Sequence, residues 1–182
     1  MAEPPRILSR RELVRTRLFR VQGVELAFAN GQQRQYEYLE GSHFRSVAVV
    51  PLFDDGQVML VREYAAGRHD YELGLPKGRV EEGESYEAGA NRELQEEIGF
   101  AAGRLDLVKM LSLSPAYMSH RTAIVLAREL RPSRLPGDEP EPIETLRWPL
   151  DQLEALLERD DFSEARSIAA LYMVREWVLK NP

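Results

Sequence analysis

The sequence predicts a layered α/β or α+β domain, and three observations carry that reading. Short apolar strand patterns fill the first third, helical periodicity follows at three places, and more strand patterns lie between and after those helices. No repeat of solenoid or propeller period and no low-complexity tract interrupts this order.

Taken in order, Val24, Leu26 and Phe28 alternate with Glu25 and Ala27, and Tyr36 and Tyr38 continue the alternation beyond Asn30-Gly31. Asn-Gly tolerates positive φ, so a two-residue hairpin turn is predicted there, within a hairpin or small sheet. A second hairpin is predicted from residues 46–53, the turn Asp54-Asp55-Gly56 and residues 57–64. Residues 84–98 place Ala90, Leu94 and Ile98 on one helical stripe, and Gly99 stands where a left-handed residue would end the helix. Further strands are predicted at 105–111, 121–127 and 143–148. Residues 149–159, with Leu153, Leu156 and Leu157, and 162–179, with Ile168, Leu171, Tyr172 and Val178, read as amphipathic helices. Residues 131–142 carry four prolines and Gly137, so they form a surface loop.

Composition narrows the function. At 182 residues the chain is about the size of one domain, or of one domain with an added arm, and 43% hydrophobic residues suffice for a sizeable core. A net charge of −6 argues against a partner held by phosphate neutralisation, so no nucleic acid is expected. The lack of cysteine excludes disulfides and thiolate metal ligation. Neither a secretory signal nor an apolar run near the ~18 residues of a membrane span is evident, so no membrane partner and a cytoplasmic location are expected.

The chemistry concentrates between Gly78 and Phe100. At about 100° per residue, Glu93 and Glu97 sit about 40° apart and Glu96 about 60° to the other side, so three carboxylates share the face opposite Leu94 and Ile98. A Glu-rich helix is ordinarily a solvated face. Like charges so spaced cost a helix a few tenths of a kcal/mol per pair, roughly, and a divalent cation with oxygen ligands is the simplest reason to gather them. Arg92 reaches Glu96 at i+4 or orients a neighbouring carboxylate, and Gly78 and Gly83 bracket a loop able to approach a ligand.

Gly78, five residues, Glu84, seven residues, then Arg92-Glu93-Leu94-x-Glu96-Glu97-x-Gly99-Phe100 resembles the Nudix box at every defining position. The resemblance implies an α+β Nudix fold, an α/β/α sandwich with a mixed sheet, here with an N-terminal β-hairpin subdomain. It implies a Mg²⁺-dependent hydrolase of nucleoside diphosphate derivatives, with Mn²⁺ able to substitute. Metal ligands carried over are Glu93 and Glu97, with Glu96 a third and the backbone carbonyl of Lys77 another. Glu84 tunes or positions the site.

Val61-Arg62-Glu63-Tyr64, Tyr71-Glu72-Leu73, Ser114-Pro115, Gly137-Asp138-Glu139-Pro140-Glu141 and Ser167-Ile168-Ala169-Ala170-Leu171 are similar to the ADP-ribose pyrophosphatase branch, nearest the group acting on several ADP-linked compounds. That similarity implies Glu139 as catalytic base alongside Glu97 and Arg92, Glu141 as a further metal ligand, and Arg62 and Glu72 as substrate contacts. It further implies residues 1–44 as a dimerisation arm of a homodimer, residues 45–182 as the hydrolase domain, and Phe28 or Tyr36 as a stacking surface near the interface. The expected substrates are ADP-ribose, diadenosine polyphosphates, NADH and FAD, with AMP released. The alternatives are a GDP-mannose type nucleotide-sugar pyrophosphatase and a non-hydrolytic nucleotide sensor. Ala65 stands where strict ADP-ribose relatives often carry a second arginine, and His120 is a candidate phosphate contact.

Overall fold

The structure, a computed structural model, describes residues 3–41 and 45–180. These divide into two compact units: residues up to 41 with Ser112–Arg121, and Arg45–Leu111 with those from Thr122 onward. The domain boundary expected after residue 44 abuts residues 42–44, which lie outside the described residues.

The first unit is an antiparallel sheet of three strands, β1 (Arg6–Arg15), β2 (Arg20–Ala27) and β3 (Gln33–Glu40), in that order. The expected hairpin is its β2–β3 half. β1 escapes a periodicity reading because its residues are mostly exposed and carry no apolar alternation; backbone pairing with β2 defines it. The turn at Asn30-Gly31 is longer than predicted. Gly31 N–H donates to Phe28 O at 2.9 Å and Phe28 N–H to Gln32 O at 2.9 Å, with Gly31 at φ 80°, the geometry of a type I turn followed by a left-handed glycine. Residues 112–121 join this unit through β3: Leu39 N–H donates to Tyr117 O at 2.7 Å, and Leu39 O accepts from Ser119 N–H at 3.0 Å.

The second unit is the α/β/α sandwich. Its mixed sheet runs β7 (Lys77–Val80), β4 (Arg45–Pro51), β9 (Arg121–Pro132), β8 (Phe100–Ser112), with β4 antiparallel to β7 and parallel to β9. A second sheet runs β10 (Glu144–Pro149), β5 (Gln57–Ala65), β6 (Asp70–Gly74). The second predicted hairpin is thereby corrected. Its turn forms, but β4 and β5 diverge into different sheets. Val47, Ala48, Val49 and Val50 are all essentially buried, so β4 needs cover on both faces, which a hairpin partner cannot supply.

Side-chain alternation builds the layers. Val47, Val49, Met59 and Val61 pack with Ala90, Leu94 and Ile98 of the helical segment after β7. Ala48, Val50, Val58 and Leu60 pack instead with Leu153 and Leu156 of α2 (Leu153–Leu157) and Leu171 and Val174 of α3 (Ala165–Lys180). Neighbouring residues on β4 and β5 thus feed opposite cores. The helices predicted at 149–159 and 162–179 are shorter than their patterns: a 3₁₀ turn occupies Leu150–Gln152, and α3 starts at Ala165. Among the described residues no helix is long and apolar enough to cross a membrane.

Candidate active site

The helix α1 (Tyr86–Glu93) starts at Ser85, whose hydroxyl accepts from Ala88 N–H at 3.0 Å. After Glu93 it widens into one π turn, Leu94–Ile98, closed by Gly99 at φ 75° with its N–H on Leu94 O. The α-helical angles derived above therefore hold only as far as Glu93. Leu94 and Ile98 remain buried, and they anchor the turn that carries the acids.

Glu93 and Glu97 are 8% and 4% exposed, far from the solvated face a Glu-rich helix would ordinarily present. Arg92 accounts for part of the compensation. Its guanidinium donates to Glu84 at 3.2 Å, Glu93 at 2.9 Å, Glu96 at 2.7 Å and Arg79 O at 2.5 Å, so it acts by orienting three carboxylates. Glu84, which also accepts from Glu81 N–H, is the anchor of Arg92, in keeping with a positioning part. Glu97 has weaker company: Lys77 N–H approaches its two oxygens at 3.3 and 3.4 Å.

Gly78 makes room for this arrangement. A Cβ there would lie 2.1 Å from Glu93 Cδ and 2.2 and 2.3 Å from its oxygens. The glycine is required by volume, since the carboxylate occupies the space of the missing side chain.

A cavity of about 750 Å³ opens over Gly78, Glu93, Glu96 and Glu97, roofed by Asp138 and Glu139 from the loop after β9. Two of its acidic neighbours were not among the candidates drawn from the sequence. Asp138 lines the cavity, and Glu63 repels both Glu97 and Glu139 while its own carboxylate pairs with Lys77 Nζ. Glu63 was findable: it follows Met59 and Val61 on the β5 face toward α1.

The same alternation places Arg62 on the opposite face of β5. It continues the Val58–Leu60 face toward α2 and α3, and its guanidinium is taken by Glu144 at 3.2 Å and Asp161 at 2.7 Å. Glu72 is likewise engaged, accepting from Arg68 at 3.0 Å and from Ser163 at 2.6 Å. Neither lines the cavity, so the structure does not bring these two expected substrate contacts to the acids. Glu141 is also absent from the lining, and it accepts from the hydroxyl of Tyr71. Arg62→Ala should therefore cost only about 1 kcal/mol or less, because Glu144 is exposed and Asp161 keeps its bonds from Arg159 at 2.9 and 2.8 Å, with little change in KM; denaturant melts beside steady-state kinetics test this. His120 and the tilted Phe28–Tyr36 pair, 6.5 Å between centroids, belong to the first unit.

Burial pushes the Glu97 carboxyl up to about 9, aided by repulsion from Glu63 and opposed by Lys77. Burial raises Glu93 too, against the pull of Arg92, and raises Glu139 with help from Glu63 and Asp138. The consequence for stability has a definite sign. Between the ordinary carboxyl value of 4.5 and about 9, folded Glu97 holds a proton that the unfolded chain has lost. Stability of the metal-free protein must then fall as pH rises through that window. Thermal melts in chelator should show Tm declining from pH 5 to pH 9, and Glu97→Gln should flatten the decline.

The donors present are all oxygens, a set suited to Mg²⁺ or Mn²⁺. Glu97, buried with only two long amide contacts, is a carboxylate short of positive charge, and that observation fits a cation beside it. Among the described residues no three acidic or histidine side chains converge as a preformed cation cage, because Arg92 draws Glu93 and Glu96 to itself.

The NUDIX domain family matches residues 42–171. The chain belongs to the Nudix hydrolase family. The NudE-type Nudix hydrolase N-terminal domain also matches, over residues 5–37. Among curated Nudix relatives, the chain is 47% identical to ADP compounds hydrolase NudE of Escherichia coli strain K12, over 97% of this chain and 94% of that one. It is 29% identical to the ADP-ribose pyrophosphatase of Bacillus subtilis strain 168, over 83% and 80%. A crystal structure of ADP compounds hydrolase superposes with a TM-score of 0.92 at 45% identity, over 100% of this chain and 97% of that one. The chain is accordingly a Nudix pyrophosphatase, and its sandwich is the Nudix fold.

Proposed function

We propose that this Nudix enzyme hydrolyses the diphosphate of ADP-ribose and related adenosine compounds, diadenosine polyphosphates, NADH and FAD among them, and releases AMP. The names of the relatives at 47% and 29% identity support the substrate class. The buried Glu93 and Glu97 beside the Gly78 gap carry the chemistry.

In this reading Glu93 and Glu97, with Glu96 and the carbonyl of Lys77, hold Mg²⁺, for which Mn²⁺ can stand in. A divalent cation bound there would neutralise diphosphate oxygens and lower the pKa of a bound water. Arg92 keeps the acids oriented, and its bond to Glu84 keeps Arg92 in place. Glu139 takes the proton of the attacking water as the new O–P bond forms and the bridging P–O bond breaks, leaving AMP and the other phosphate product. Its raised carboxyl brings it nearer neutrality as a proton acceptor. Glu141, held by Tyr71, is left outside the donor set. The first unit serves as the arm of a cytoplasmic homodimer, which sedimentation at several concentrations tests.

Chromatographic product analysis with and without Mg²⁺ on ADP-ribose, diadenosine triphosphate, NADH, FAD and GDP-mannose tests the activity. AMP from several adenosine compounds, only with metal, is the expected result. Cleavage of GDP-mannose alone, or nucleotide binding without cleavage, would overturn it.

A further inference from the structure

The loop that carries Glu139 has an unusual construction. Pro136, Pro140 and Pro142 have no N–H to donate, so a hydrogen-bonded ladder cannot hold residues 136–142. The segment is fastened at its two ends instead.

The upstream end is fixed to the π turn. A helix terminus leaves carbonyls without intrahelical donors, and here Leu135 N–H reaches Gln95 O at 3.1 Å while Ser133 N–H reaches Gly99 O at 3.0 Å. The Ser133 hydroxyl adds a 2.8 Å bond to Gln95 Oε1. Gly137 then passes close over Glu96, where a Cβ would stand 3.5 Å from the carbonyl oxygen.

At the downstream end Ile143 packs on the core beneath α1 and Glu144 opens β10 opposite Arg62 of β5, and one side chain of the loop adds a further tie. Glu141 reaches out of the loop and accepts from the Tyr71 hydroxyl at 2.5 Å. Tyr71 stands on β6 directly opposite Tyr64 of β5, the two rings 5.8 Å apart and edge to face. Tyr64 is braced in turn by a 2.6 Å contact between its hydroxyl and His69 Nδ1. The acceptor thus meets a partner carried on the paired β5–β6 hairpin. Asp138 and Glu139 lie between the two fastenings, above the acids of α1 and the π turn.

We propose that the Tyr71–Glu141 hydrogen bond is a latch that positions Glu139 over the carboxylate cavity. The proposal rests on the reading of Glu139 as the base, and it gives Glu141 a task other than metal ligation. Tyr71 is a positioning residue: it acts through the loop. Repulsion of Glu139 by Glu63, partly offset by Lys77, favours lifting the loop away from the cavity. The latch opposes that, and it also keeps a further negative charge away from the pair.

The test compares Tyr71→Phe, Glu141→Ala, Glu141→Gln and the double variant Tyr71→Phe/Glu141→Ala. Loss of one charge-assisted hydrogen bond should lower kcat about five- to tenfold in both Tyr71→Phe and Glu141→Ala, with substrate KM and the Mg²⁺ concentration for half-maximal rate changed less than about twofold. The double variant should lose no more than either single one, because both remove the same bond. Glu141→Gln, which keeps an acceptor oxygen, should fall between wild type and Glu141→Ala. Amide hydrogen exchange across residues 134–141 should quicken in Tyr71→Phe whatever the activity does.

An unchanged kcat in Tyr71→Phe overturns the latch, whether or not exchange quickens. A large rise in Mg²⁺ requirement confined to the Glu141 variants overturns it in favour of Glu141 as a metal ligand. Failure of the base assignment is read separately: Glu139→Gln would then turn over normally, and the positioning role would fall with it, although faster exchange would still report the tether.

Discussion

Glu97→Gln will lower turnover by at least about a thousandfold while leaving the protein folded. The side chain is 4% exposed, its carboxyl is pushed up to about 9, and its closest donors are amide contacts of 3.3 and 3.4 Å. A buried carboxylate so poorly paired costs stability whenever it is ionised, and a stability-minded sequence would replace it. Glutamine keeps the shape and hydrogen-bonding capacity and removes the charge. The metal-free variant should therefore melt at or above the wild-type temperature at pH 8, and it should no longer gain stability from Mg²⁺. Loss of one anionic ligand from a site that stabilises developing phosphate charge is worth several kcal/mol, roughly, hence the size of the kinetic effect. A surface glutamate of no function would show under about 0.5 kcal/mol of stability change and full activity. Normal turnover would sink the assignment of Glu97 to the metal; a collapsed protein would show that burial, and no cation, explains its place.

Gly78→Ala should be nearly as damaging through a single added methyl group. The new carbon would overlap Glu93 Cδ at 2.1 Å, and the backbone cannot retreat because Gly78 pairs with Val47 of the central strand β4. Glu93 must swing away, taking its 2.9 Å contact with Arg92 with it. Activity should fall to about the level of Glu93→Gln, with a stability loss of roughly 1–3 kcal/mol for the forced rearrangement. The double variant Gly78→Ala/Glu93→Ala distinguishes a clash from a local backbone effect. It should recover the stability but none of the activity, because it removes the colliding carboxylate. An active Gly78→Ala protein would mean that Glu93 has freedom the packing does not suggest.

Much of the site was legible because it is local. The spacing from Gly78 to Gly99 spans one strand, one turn and one helix, and within such a stretch sequence distance and spatial distance nearly coincide. Arg92, Glu93, Glu96 and Glu97 line one cavity, although a π turn, which the spacing did not show, sets the positions of the last two. The contributions from other strands were read less well. Arg62 and Glu63 are adjacent in a motif, yet strand alternation sends one to Asp161 and the other to the neighbourhood of Glu97. Choosing between them needs knowledge of which face meets α1.

The sequence by itself determined β2 to β5, β8 to β10 and the helices, though not β1, β6 or β7, along with the left-handed stop at Gly99, the apolar central strand and the acid-bearing helix, because each depends on propensity or periodicity within a few residues. Tertiary structure alone decided that β4 and β5 part into separate sheets, that β1 pairs despite its exposed faces, and that Glu141 faces Tyr71. Those outcomes depend on contacts between segments far apart in the chain. Their free energy comes from burying surfaces that meet only when the whole layer stack has formed, and no local pattern records which surface a strand will meet.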